Sequence, residues 1–149
     1  SLPRRFGERL TPELVSRGAL DRVGTWWREV NKPQRLVVSR IPLLRDYLNR
    51  RVPREPSWRG GNSSAFTEHL YLVGGFDERF SYGFEDAEFG HRLQAAGVHG
   101  RSVRYTAPVF HLEHDRPYAG AGVVAANRVL YQASRAERRA HTPFGLPRR

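Results

Sequence analysis

Apolar positions recur at helical spacing over much of the chain and alternate in two short stretches, so the pattern predicts mainly helices with a few strands. Residues 1–10 are basic and read as irregular chain. Thr11-Pro12-Glu13 is a helix entry: threonine can cap, proline suits the first helical position, and an early glutamate complements the dipole. That helix should break near Gly18. From Ala19 to Val30, Leu20, Val23, Trp26, Trp27 and Val30 fall three and four apart, which predicts an amphipathic helix closed by Asn31-Lys32-Pro33. The two tryptophans read as packing residues. Gln34 to Arg51 is rich in leucine and valine but interrupted by Pro42, which predicts two short helices. Pro53 and Pro56 then mark an extended linker.

Beyond the linker, the glycine-bearing stretch Trp58 to Phe66 predicts a strand or strand-like turn. Thr67 is placed to cap a helix over 68–73 that Gly74-Gly75 stops. After Phe80-Ser81-Tyr82-Gly83-Phe84, the acidic pair Glu85-Asp86 precedes Phe89, Leu93 and Ala96, and Gly97 ends that helix. Strands are predicted over 98–106 and 108–112, and Val123 to Arg139 has helical spacing with frayed residues after it. The organisation read from this is a helical segment and linker over 1–56, a motif-bearing region over 57–118, and a C-terminal helix with a basic tail over 119–149.

Composition narrows the class. The 149 residues, 39% of them hydrophobic, suffice for one modest domain. No apolar run approaches membrane-spanning length, and without cysteine there is neither disulfide nor thiolate metal site, which fits a cytoplasmic protein. The net charge of +10, carried almost entirely by arginine, attracts anions and would suit peripheral contact with the anionic inner face of a membrane. Specific nucleic-acid binding is not expected, because no zinc-finger, RNA-binding sheet or basic-zipper pattern accompanies the charge.

The chemistry gathers between Trp58 and His114. Two carboxylates that open a helix sit where unpaired N–H groups and the positive end of the dipole suit acidic groups, and they face whatever lies beyond the helix end. A carboxylate there, within hydrogen-bond reach of a hydroxyl, can serve as a general base. His111 and His114 form a close histidine pair, although residues three apart on a straight strand point to opposite faces and could share an ion only at a bend. Gly60, Gly61 and Asn62 either let a ligand approach the backbone or make a tight turn. Asp77 and Glu78 either hold their turn together or touch substrate. His69, His91, His99 and His141 have no partner pattern and read as surface.

In their order, Arg59-Gly60-Gly61-Asn62, Val73-Gly74-Gly75-Phe76-Asp77-Glu78, Gly83-Phe84-Glu85-Asp86, Arg92-Leu93, Gly97 and Phe110-His111-Leu112-Glu113-His114 resemble GT-A glycosyltransferases of family 2. The likeness is to the C-terminal, acceptor-side half shared with β-1,4-galactosyltransferases, and it covers about residues 57 to 118. It implies an α/β, Rossmann-like fold of short mixed strands and helices. It also implies an inverting, metal-dependent transfer of a sugar from a nucleotide-diphosphate donor to a hydroxyl of a glycan or lipid-linked acceptor. In that resemblance Asp86 is the general base, Glu85 holds the acceptor sugar, Tyr82 lies against the acceptor ring, and Gly60, Gly61 and Asn62 lie near the donor. His111 and His114 ligate a divalent metal, manganese or magnesium. The galactosyltransferases carry a third acidic residue where this chain has Ala87, so the same acceptor does not follow. The nucleotide-binding half is expected in an omitted segment or another chain, because no Asp-x-Asp motif occurs, and the 149 residues alone are expected to be inactive. The competing reading is a non-catalytic glycan- or anion-binding module that kept the fold.

Overall fold

The computed structural model describes residues 4–20, 41–51, 58–107, 109–112, 115 and 120–147. The chain divides into two compact units, Ser1–Pro53 with Arg101–Asp115, and Arg54–Gly100 with Arg116–Arg149.

In the first unit, α1 (Arg4–Gly7) lies within the stretch expected to be irregular, and α2 (Pro12–Ser16) starts as its sequence predicts. Thr11 is extended, its Oγ1 accepts the Leu14 N–H at 3.3 Å, and Pro12 occupies the first turn, where a missing N–H costs nothing. Gly18, at φ +74°, lies just past the helix end. Helix α3 (Pro42–Arg51) is where the second of the two expected short helices falls, and Pro42 opens it for the same reason. The expected helix over Ala19–Val30, beyond Ala19 and Leu20, which lie in a turn, and the one before Pro42 fall on residues 21–40, outside the described residues.

The strand expected over 98–106 does not form. Two side chains of α3 take the backbone groups that a neighbouring strand would need: Asn49 Oδ1 accepts the Tyr105 N–H at 3.0 Å, and Arg45 Nε donates to the Tyr105 carbonyl at 2.7 Å. Residues 104–106 are a turn. Over 109–112 only Leu112 is in an isolated bridge, so the second expected strand is also absent among the described residues.

The second unit is built on α4 (Thr67–Val73), α5 (Glu85–Ala95) and α6 (Ala121–Ala136), with α5 packed against both others. Thr67 is the first helical residue rather than the cap; Phe66 holds that position without a side-chain bond. Gly74 ends α4 in the left-handed conformation, and the amides of Gly74 and Gly75 return to the Tyr71 and Leu70 carbonyls, as expected of a glycine stop. Val73, Phe89 and Leu93 form the buried core, flanked by Trp58, Leu70, Ala96 and Val98. Phe76 stacks on Phe89 at 4.5 Å between centroids, and Trp58 meets the same ring edge-on at 4.8 Å. Gly90 permits this approach: a Cβ there would sit 2.8 Å from the Trp58 backbone nitrogen.

Trp58 to Phe66 is a turn and irregular chain, not a strand, because Ser63 Oγ and the Arg59 carbonyl take the amides of Arg59 and Asn62 at 2.8 and 2.9 Å. The end of the chain is not frayed through residue 147 either. The Thr142 amide donates to the Val73 carbonyl at 3.1 Å, the Leu146 amide to the Gly74 carbonyl at 2.7 Å, and the Glu78 amide to the Phe144 carbonyl at 2.7 Å. Thr142 is fully buried. Sequence pattern misses this hook because its contacts are backbone bonds to a turn some 70 residues earlier.

Candidate active site

The acidic pair is presented by a loop of unusual backbone. Gly83 at φ +96° and Phe84 at φ +69° are consecutive residues in the left-handed region, and Phe84 is the N-cap of α5. A non-glycine residue held there needs compensation from its surroundings. It comes from α6: the Phe84 ring stacks on Tyr131 at 5.5 Å, and Asn127 Nδ2 donates to the carbonyls of Tyr82 at 3.1 Å and Gly83 at 2.8 Å. Asn127 is only 3% exposed.

The three acids in the first turn of α5 have different fates. Glu88 turns inward: both its oxygens accept from Arg92 Nε at 2.9 Å, Ser134 Oγ donates to Oε1 at 2.8 Å, and Arg92 Nη1 donates to the Val73 carbonyl. This buried ion pair ties α5 to α4 and α6. Asp86 and Glu85 are half-buried. Asp86 Oδ1 accepts the Ala87 N–H at 2.7 Å, while Glu85 Oε2 is buried with no hydrogen-bond partner among the described residues. A buried acceptor oxygen left open is the kind of group that a ligand hydroxyl would satisfy.

Tyr82 is half-buried in the same loop, three residues ahead of Glu85. The Gly60–Asn62 turn lies in the same unit and is exposed; a Cβ on Gly60 or Gly61 would meet nothing within 4 Å, so the backbone there is open to approach. His111 is exposed and belongs to the other unit, and His114 lies outside the described residues. Among the described residues no three His, Cys, Asp or Glu side chains group as a metal-ligand set.

Asp77 proves to be a structural hub of its turn. It accepts from Arg79 Nε and Nη2 at 2.9 and 2.7 Å, from the Arg79 amide at 3.1 Å, and from Thr142 Oγ1 at 2.7 Å. Burial pushes its carboxyl up, but the Arg79 and Thr142 hydrogen bonds outweigh that and leave its pKa below the usual carboxylate value. Arg79 also lies over the Phe144 ring at 3.9 Å, which holds the C-terminal hook. His91 is not plain surface: its Nε2 is buried, and desolvation with the nearby Arg135 charge lowers its pKa. Glu88, Arg92 and Asn127 are not singled out by the sequence pattern as functional. The first two carry a signal, an acid and a base four apart on the same face as Phe89 and Leu93, whereas Asn127 carries none.

Residues 46–115 match a family described as the N-terminal domain of galactosyltransferase. The acid pair opening α5 lies inside the matched segment, and the match is consistent with a galactosyltransferase-type glycosyltransferase domain. The family is the galactosyltransferase type, which supports a sugar-transfer role and implies in general a nucleotide-sugar donor and an acceptor. The match and the motif likeness agree on that family and differ in which half of the parent enzyme they name. No curated protein and no solved structure gives a significant match.

Proposed function

We propose that this chain supplies the acceptor-side, catalytic-base half of an inverting, metal-dependent glycosyltransferase of GT-A type. It would move a sugar from a nucleotide-diphosphate donor to a hydroxyl of a glycan or lipid-linked acceptor. The observation that supports it is the presentation of Glu85 and Asp86: a loop with two consecutive left-handed residues sets both acids at the start of α5, inside the segment that matches the galactosyltransferase family.

In this reading the acceptor hydroxyl lies within hydrogen-bond reach of Asp86. Oδ1 is engaged by the Ala87 amide, so Oδ2 takes the proton as the hydroxyl oxygen bonds to the anomeric carbon and the nucleotide diphosphate leaves. Glu85 Oε2 accepts a second hydroxyl of the acceptor and fixes its orientation. Tyr82 offers a ring against the acceptor sugar, and the open Gly60–Asn62 backbone lies toward the donor. His111 and His114 are the nitrogen donors assigned to a manganese or magnesium ion, which when bound would neutralise the departing diphosphate. The remaining ligands and the nucleotide-binding half come from outside the described residues.

The test is transfer by the full-length protein from a panel of nucleotide-diphosphate sugars, read as release of the nucleotide diphosphate and as the anomeric configuration of the product by NMR. Transfer with inversion, lost on chelation and restored by manganese, is the expected result. Donor or glycan binding without any turnover would replace this reading with that of a binding module.

A further inference from the structure

The acid pair is placed by a helix that lies outside the family match, and the residue that does the placing is not an acid. The match ends at residue 115, and α6 begins at Ala121. From that helix, Asn127 reaches into the loop before α5 and donates to two successive carbonyls, those of Tyr82 and Gly83. Phe84 caps α5 without a side-chain hydrogen bond and sits at φ +69°. One turn further along α6, Tyr131 stacks on the Phe84 ring, so two residues four apart on one helix face grip three successive loop residues. Val124, three before Asn127, packs beside Gly83, where a side chain would meet it at 3.5 Å and where φ is +96°.

We propose that Asn127 is a positioning residue for sugar transfer: its amide fixes the Tyr82–Phe84 loop and thereby the direction in which Asp86 and Glu85 leave the start of α5. This rests on the reading of Asp86 as the base. An asparagine is required by the chemistry of the contact. Both partners are carbonyl acceptors, and one NH2 group offers two donors from a single atom. Aspartate has nearly the same shape but would set an acceptor oxygen against two acceptors. Released carbonyls would let the left-handed residues relax, and a shift of about 1 Å in a reacting group can reduce turnover roughly 100-fold.

The experiment compares Asn127→Ala and Asn127→Asp with Ser134→Ala in the full-length protein. Ser134 lies on the same helix and bonds the structural Glu88, so it reports what loosening α6 alone does. Hydrogen exchange by mass spectrometry over 82–88, nucleotide-sugar binding by calorimetry and the transfer rate are measured on each. For both Asn127 variants, exchange over 82–88 should quicken by roughly tenfold, with kcat down roughly 10- to 100-fold and donor affinity unchanged. Ser134→Ala should lower the melting temperature without that local change. Unchanged exchange over 82–88 in Asn127→Ala, or equal loss of kcat in Ser134→Ala, would overturn the proposal. Local loosening in Asn127→Ala together with full activity in Asp86→Asn would instead uphold the clamp and reject Asp86 as the base.

Discussion

Replacing Arg92 by methionine removes a fully buried charge of the second unit, and the contacts around that side chain set the size of the loss. Arg92 is 0% exposed and Glu88 1%. Methionine keeps much of the packing against Phe89, whose ring lies 5.5 Å from the guanidinium carbon, but among the described residues it leaves the Glu88 carboxylate with the Ser134 hydroxyl as its one hydrogen-bond donor. The Val73 carbonyl loses Arg92 as well, yet keeps the Thr142 amide at 3.1 Å, so that loss contributes little. What dominates is an uncompensated buried charge, which costs about 3–5 kcal/mol. Against a total stability of about 5–15 kcal/mol for a protein of this kind, that is a large part of the whole. Adding Glu88→Gln to Arg92→Met removes the charge and preserves an acceptor for Ser134, so the double variant should recover to a cost of about 1–3 kcal/mol. Urea unfolding followed by circular dichroism reads both as shifts in midpoint at constant slope. A loss under about 1 kcal/mol for Arg92→Met, or a double variant no more stable than the single, would refute the reasoning.

Two further predictions concern the turn after α4. Asp77 has a folded-state pKa below its unfolded value, so the stability it contributes is complete above the ordinary aspartate pKa of about 4 and is lost as pH falls through the depressed value. Asp77→Asn should flatten that acid limb in thermal melts between about pH 5 and pH 2, relative to the parent. Gly74→Ala should lower the melting temperature, since Gly74 is at φ +78° and a Cβ would lie 2.4 Å from the Thr142 carbonyl oxygen; an unchanged melt would show that the C-terminal hook does not close on this turn.

The local signals in the chain hold where a single element can satisfy them. The Thr11-Pro12-Glu13 start, the Gly74-Gly75 stop, and the helix led by Glu85-Asp86 and closed before Gly97 are all in place. Each depends on backbone groups within a few residues. Signals that need a distant partner mislead. Alternation over 98–106 suggests a strand, but Arg45 and Asn49 take the Tyr105 backbone groups. The tail composition suggests fraying, whereas Thr142 reaches Asp77 and Val73. At the candidate site the helix-start acids are legible because their position is a local property. Asn127 is not, since nothing near it in sequence hints that its amide would serve two carbonyls 44 and 45 residues earlier.

The assignment of Asp86 as the group that takes the acceptor proton is most directly tested by Asp86→Asn in the full-length protein, with transfer rate and donor binding measured on the same preparation. The amide keeps the size and the Ala87 contact but cannot accept the proton. Turnover should fall by roughly 100- to 10,000-fold with the donor dissociation constant unchanged. Turnover equal to that of the parent protein would contradict the assignment.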